Sequence, residues 1–237
     1  MGNFFELMNR CVDFVINVIN SVKDNLILTD ENKIKYRSKA VALAKFNLCL
    51  PFNASLVEIV NTKLDEDNIN KLIDKYTNDK EVKKIKDKLL SISFINNSDV
   101  KEMLFLFNNK KYKSCIMMLF SFVDAIILNL QDDINHKKLP GKIEHINMIN
   151  KEIEITFAYF EYCVLCEILK TIYASAENFK KDNANKLNRN YILHGVSTRV
   201  IDKYDCLKLM FLVVGVYDYF SQNIDNINNR NKKKIPW

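Results

Sequence analysis

An all-α fold is what this sequence predicts, on three observations. Gly 4 and Pro 3 in 237 residues fall far below the roughly 16 and 12 that average usage would supply. Sheet proteins need such residues at their many turns, so the scarcity argues against one. Apolar residues recur at three- and four-residue steps along most of the chain, the period of a helix face. With 48% hydrophobic residues the chain can bury a substantial core, so disorder is not the default.

The helices follow in order. Phe4, Leu7, Met8, Cys11, Phe14, Val15, Val18 and Val22 mark an amphipathic helix over 3–23. A second runs over about 31–50 and is stopped by Pro51. Residues 55–64 read as a short helix. Asp67 can cap the next one, with Ile69, Leu72 and Ile73 facing inward. A lysine-rich segment, 80–95, carries Val82, Ile85, Leu89 and Leu90 on one stripe, which reads as a solvated helix face. Asn96, Asn97 and Ser98 punctuate the chain, and Asp99 with Glu102 suits a capping box. The most regular helix covers about 111–131, with Cys115, Met118, Leu119, Phe122, Ile126 and Leu130 as its core stripe. Asp124 interrupts it. An unpaired buried charge is very costly, so Asp124 either sits on the polar arc or pairs, and the motif described below is the partner to test. Pro140-Gly141 marks a turn flanked by His136 and His145, before a short helix at 142–152. A long helix at 154–179 holds Phe157, Phe160, Val164, Ile168 and Ile172. The last, about 200–225, is capped by Ser197 or Thr198 and turns Leu207, Met210, Phe211, Val214 and Tyr217 inward. A basic tail with Arg230, Lys232, Lys233 and Lys234 follows.

Charge and cysteines narrow the setting. Lys+Arg 35 against Asp+Glu 29 leaves +6, which permits a polyanionic partner without demanding one. The six cysteines, Cys11, Cys49, Cys115, Cys163, Cys166 and Cys206, are scattered through apolar helical stretches. Cys163 and Cys166 have redox or zinc-like spacing, but no second pair or histidine accompanies them. Free core thiols in a reducing, cytoplasmic setting are the expectation. No segment has the order of a signal peptide, and no uninterrupted apolar run reaches the ~18 residues of a membrane span. Glu6 spoils the myristoylation pattern that Met1-Gly2-Asn3 begins.

One stretch concentrates chemistry: Asn188-Arg189-Asn190-Tyr191-Ile192-Leu193-His194-Gly195. On a helix Asn190 and His194 are i and i+4 and share a face. Arg189 lies about 140° around from His194, so its side chain must curl back, occupy an irregular first turn, or reach a partner subunit. Gly195 suits the left-handed residue that ends a helix. A histidine near neutral pKa can move a proton at physiological pH, and an arginine fork fits phosphate oxygens. No carboxylate/histidine set for two-metal hydrolysis, no Gly-rich phosphate loop and no serine elbow is present, so no metal or cofactor is expected.

Arg-Asn-three residues-His-Gly, with the preceding Asn188 and long amphipathic helices on either side, resembles the HEPN superfamily of helical nucleic-acid-processing proteins, in its abortive-infection and toxin-type form. The resemblance covers about residues 99–226. It implies a HEPN-type helical bundle there; the residues themselves leave an unassigned helical region over 1–98 and a basic tail over 227–237. It further implies metal-independent endoribonuclease activity that leaves a 2′,3′-cyclic phosphate. Arg189, Asn190 and His194 would be catalytic, with Asp124 and Asn188 supporting. The implied partners are RNA, with tRNA one candidate class, a second copy in a homodimer, and an antitoxin or other regulator, with no membrane. Members controlled by an adenylylating antitoxin carry Tyr two positions after the histidine; Val196 stands there, which puts that control in doubt. Three other readings stay open: an architectural Arg189 bound to a carboxylate with His194 at a helix end, a HEPN-like module that binds without cutting, and a structural dimerisation protein.

Overall fold

The computed structural model describes residues 29–49, 54, 56–129, 156–175, 179 and 186–233. The helix expected at 3–23, the Pro140-Gly141 turn with His136 and His145, the helix at 142–152 and Leu130 lie outside them. The described residues are all-α, without a strand. In order the helices are α1 (Asp30–Lys45), α2 (Leu56–Asn61), α3 (Glu66–Tyr76), α4 (Asp79–Leu90), α5 (Asn97–Asn108), α6 (Tyr112–Asn129), α7 (Thr156–Ile172), α8 (Arg189–Leu193) and α9 (Lys203–Lys233).

Their starts follow side-chain chemistry. An oxygen at the N-cap satisfies amide donors that have no partner in the first turn. Thr29, Asp65, Asn78 and Asn96 do this for α1, α3, α4 and α5. Two expected caps therefore move. Asp65 replaces Asp67, accepting from the Asn68 amide at 3.1 Å. Asn96 replaces the box built on Asp99, accepting from the Ser98 amide at 3.0 Å. For α9 the cap is neither Ser197 nor Thr198: Asp202 accepts from the Asp205 amide at 2.8 Å. Ser197 instead takes the Arg199 amide. The basic segment expected as a separate tail is helical as far as Lys233.

The ends are equally local. α1 stops at Lys45, before Pro51, because Asn47 turns left-handed (φ +52°). The amides of Asn47 and Leu48 then donate to the carbonyls of Ala44 and Leu43, at 3.0 and 3.1 Å, closing a Schellman end. Lys110 (φ +59°) ends α5 in the same way, with its amide on Phe107 and that of Lys111 on Leu106. A chain with four glycines thus uses Asn and Lys at positions that usually take Gly.

Packing joins these elements into one buried cluster. α1 lies along α7, with Tyr36 edge-on to Phe160 at 5.9 Å. α9 packs on α6, α4 and α7, and α5 joins α4 to α6. Residues on both sides of position 98 therefore share the core. Gly215 lets α9 come close: a Cβ there would lie 2.9 Å from Cys49 Sγ and 3.4 Å from a Leu165 methyl. α6 is long and apolar enough to cross a membrane by length and composition, yet eight of its residues, Cys115 to Ile127, are buried in this core.

The lysine-rich α4 reads as a solvated face tied to its surroundings. Lys84 pairs with Glu81, Lys86 sits over Phe107 and bonds Asn108, and Lys88 bridges to Asp218. The described cysteines are buried and form no disulfide among the described residues. Burial raises the Cys163 thiol and pushes that of Cys166 up to about 12, which keeps them protonated.

Candidate active site

The motif forms a helix of five residues, too short to hold itself by its own hydrogen bonds, so its ends and one ion pair hold it. Asn188 is the N-cap. Its Oδ1 accepts from the amides of Asn190 (2.9 Å) and Tyr191 (3.3 Å), while its Nδ2 donates to the Ala174 carbonyl at 3.0 Å. This side chain is buried, so the amide staples α8 to the segment after α7. At the other end Gly195 has φ +74°, as expected. The Val196 amide donates to Tyr191 (3.0 Å) and the Gly195 amide to Ile192 (3.1 Å), a Schellman closure. Tyr191 and Ile192 drive the helix into the core at 2% and 1% exposure.

Arg189 is the first helical residue, and its guanidinium turns away from the imidazole toward α6. Nη2 and Nε donate to Asp124 Oδ2 at 2.7 and 3.1 Å, and Nη1 donates to Asn190 Oδ1 at 3.3 Å. The Asp124 carboxylate is therefore paired and half-buried, not on an open polar arc. Tyr173 completes the group. Its hydroxyl donates to Asp124 Oδ1 at 2.9 Å, and its ring lies 5.7 Å from the Arg189 Cζ. Burial, reinforced by the Asp124 charge, raises the Tyr173 phenol well above its ordinary pKa, so it stays a donor. With side chains 20% and 13% exposed, the Arg189–Asp124 pair sits between the surface and buried regimes. Removing one partner is expected to cost about 2–4 kcal/mol.

His194 is the C-cap of α8 and is exposed. Its backbone amide bonds the Asn190 carbonyl, but the imidazole makes no hydrogen bond among the described residues. Its contact is with Phe179, ring centroids 5.3 Å apart and planes at 70°. Asn190 does not hold the imidazole, although i, i+4 spacing allowed it. Its amide faces Arg189 and, at 3.5 Å, the Ala174 carbonyl, because capping draws the first turn toward the end of α7.

Chemically, among the described residues, the arrangement offers one imidazole with both nitrogens unbonded and a guanidinium with two N–H groups left to donate. Arg189 and Asp124 together carry no net formal charge, so any anion is gripped by those donors directly. Among the described residues no three metal-ligating side chains cluster. Sequence reasoning missed Tyr173 and Phe179. Tyr173 falls inside the helix that the sequence predicts through 179, whereas α7 ends at Ile172. Its bond to Asp124 spans 49 positions, which no local pattern reports.

Fold and site together define an all-α protein that presents an arginine, an asparagine and a histidine on one short, doubly capped helix. Compared with protein-family models, curated proteins and solved structures, the chain matches none.

Proposed function

We propose that this chain is a metal-independent endoribonuclease of the HEPN type, a toxin acting in anti-phage (abortive infection) defence in the cytoplasm. The observation that carries the reading is the exposed His194 imidazole, without a hydrogen bond among the described residues, on a helix whose Arg189 is pre-positioned with donors to spare. His194 takes the proton of an RNA 2′-hydroxyl. The freed oxygen attacks the adjacent phosphorus, and the P–O5′ bond breaks. Arg189 stabilises the charge on the phosphate oxygens. The products are a 2′,3′-cyclic phosphate and a 5′-hydroxyl, the latter protonated by the imidazolium of a second copy. Asn190 and Asp124 orient Arg189, and Asn188 fixes the helix.

The decisive experiment is incubation with total RNA in chelator, comparing the natural chain with His194→Ala. Cleavage that persists in the variant defeats the reading. A second reading is a HEPN-like module that binds nucleic acid or a partner protein without cutting. The observation in its favour is that Arg189 is already committed to Asp124, as an architectural arginine would be. Binding without cleavage by the natural chain would decide for it.

A further inference from the structure

Phe179, on the connection between α7 and α8, has no part in the chemistry above. Its ring stands steeply inclined to His194 (5.3 Å, 70°) and to Tyr191 (5.4 Å, 73°). It is 40% exposed, and its backbone is left-handed at φ +47°, an unfavourable conformation for an aromatic residue. Hydrophobic burial is a poor reason to maintain such a conformation when so much of the ring stays in water. No aromatic ring lies parallel against it among the described residues; both of its ring contacts there are steeply inclined.

We infer that Phe179 is the stacking platform for an unpaired nucleobase beside the phosphate that His194 and Arg189 address. This rests on the ribonuclease reading of the same site and names its substrate class: RNA whose nucleotide at the cut stands outside a duplex. The ring carries no charge and no polar atom, so it does not suit phosphate or sugar hydroxyl. A base offers a π-face, and stacking on an aromatic side chain tolerates all four bases. Successive nucleotides in a strand are only a few ångströms apart. A base on a ring 5.3 Å from the imidazole therefore belongs to the nucleotide at the cut or to its neighbour. Duplex RNA keeps its bases stacked on each other and cannot fill the platform.

The test uses binding and cleavage separately. The chain has one tryptophan, Trp237, so Phe179→Trp combined with Trp237→Phe gives a single reporter. A 2′-deoxy single-stranded oligonucleotide, which 2′-hydroxyl attack cannot cut, should quench the introduced indole, and the same sequence as a duplex should not. Phe179→Leu should weaken Kd for that strand about 5- to 150-fold, raise KM for RNA by a like factor with kcat nearly unchanged, and be rescued by Phe179→Tyr. Absence of quenching, equal quenching by the duplex, or unaltered binding by Phe179→Leu overturns the inference. So does a loss confined to kcat with a shifted pH profile, which would make Phe179 a positioning residue for the imidazole. Quenching by a natural-site protein that never cuts RNA leaves the platform standing and removes the ribonuclease reading. Cleavage indifferent to Phe179→Leu does the reverse.

Discussion

Arg189 and His194 answer differently to truncation, because one is bonded into the fold and the other is not. His194→Ala removes an exposed imidazole that makes no hydrogen bond among the described residues, so thermal unfolding should be nearly unchanged while cleavage falls 10²–10⁴-fold. Arg189→Ala also leaves Asp124 half-buried without its cation, so it should lower stability by about 2–4 kcal/mol as well as abolish cleavage. Parallel melting and rate measurements check this pair, and equal destabilisation by both variants would contradict it. Arg189→Lys keeps the charge but loses the fork, and should also be impaired. Asp124→Asn gives the converse outcome. Freed of a compensating charge, Arg189 should bind phosphate more tightly and lower KM several-fold, while its looser geometry lowers kcat. Steady-state kinetics separates the two, and a variant with both parameters unchanged would show that the ion pair is only structural.

At the scale of elements, the short helix α8 depends on its ends. Asn188, Gly195 and the Asp124 pair do for five residues what length does for α9. The same left-handed closure ends α1 at Asn47 and α5 at Lys110, where the side chains are tolerated at some cost. Lys110 is exposed and its side chain makes no bond among the described residues, so Lys110→Gly removes only the unfavourable conformation. It should stabilise the protein by about 1 kcal/mol, read as a higher denaturant midpoint with unchanged slope. A lower midpoint would mean that the lysine has a packing role.

Over the whole molecule, the α7–α9 contact carries a titration. Burial, with a smaller contribution from Asp218, pushes the Glu161 carboxyl up to about 7 from 4.5. Asp218 itself is bridged to Lys88 at 2.8 Å. Between pH 4.5 and 7 the folded chain holds a proton that the unfolded chain has lost, so stability falls as pH rises through that window. The contribution is on the order of 2–3 kcal/mol. Melting temperature should therefore be higher near pH 5 than near pH 8, and Glu161→Gln should raise the value at pH 8 and flatten the difference. A steeper pH dependence in the variant would contradict this. The same scale governs assembly. The motif holds one histidine per chain, which supplies a base or an acid but not both at once, so the active form should be a homodimer. Light scattering that gives a monomer across micromolar concentrations would remove the composite site.

The all-α class, most helix positions and the inward residues of α3, α4, α6 and α9 were legible in the sequence, because apolar periodicity and the lack of Gly and Pro act locally. So was the end of α8, since Gly195 needs only its own left-handed backbone. Caps went astray by two to five residues at α3, α5 and α9, where several Asp, Asn, Ser and Thr neighbours compete and the turn geometry selects one. For the site, the sequence supplied Arg189, Asn190 and His194 as a group and left Asp124 either on the polar arc or paired with that group. Only tertiary structure decided that this partner is Arg189, 65 positions away, that Tyr173 shares the carboxylate, that Asn190 serves the guanidinium and not the imidazole, and that Phe179 faces His194. Periodicity records which side of a helix avoids water, whereas the meeting of α6, α7 and α8 depends on how the whole core packs.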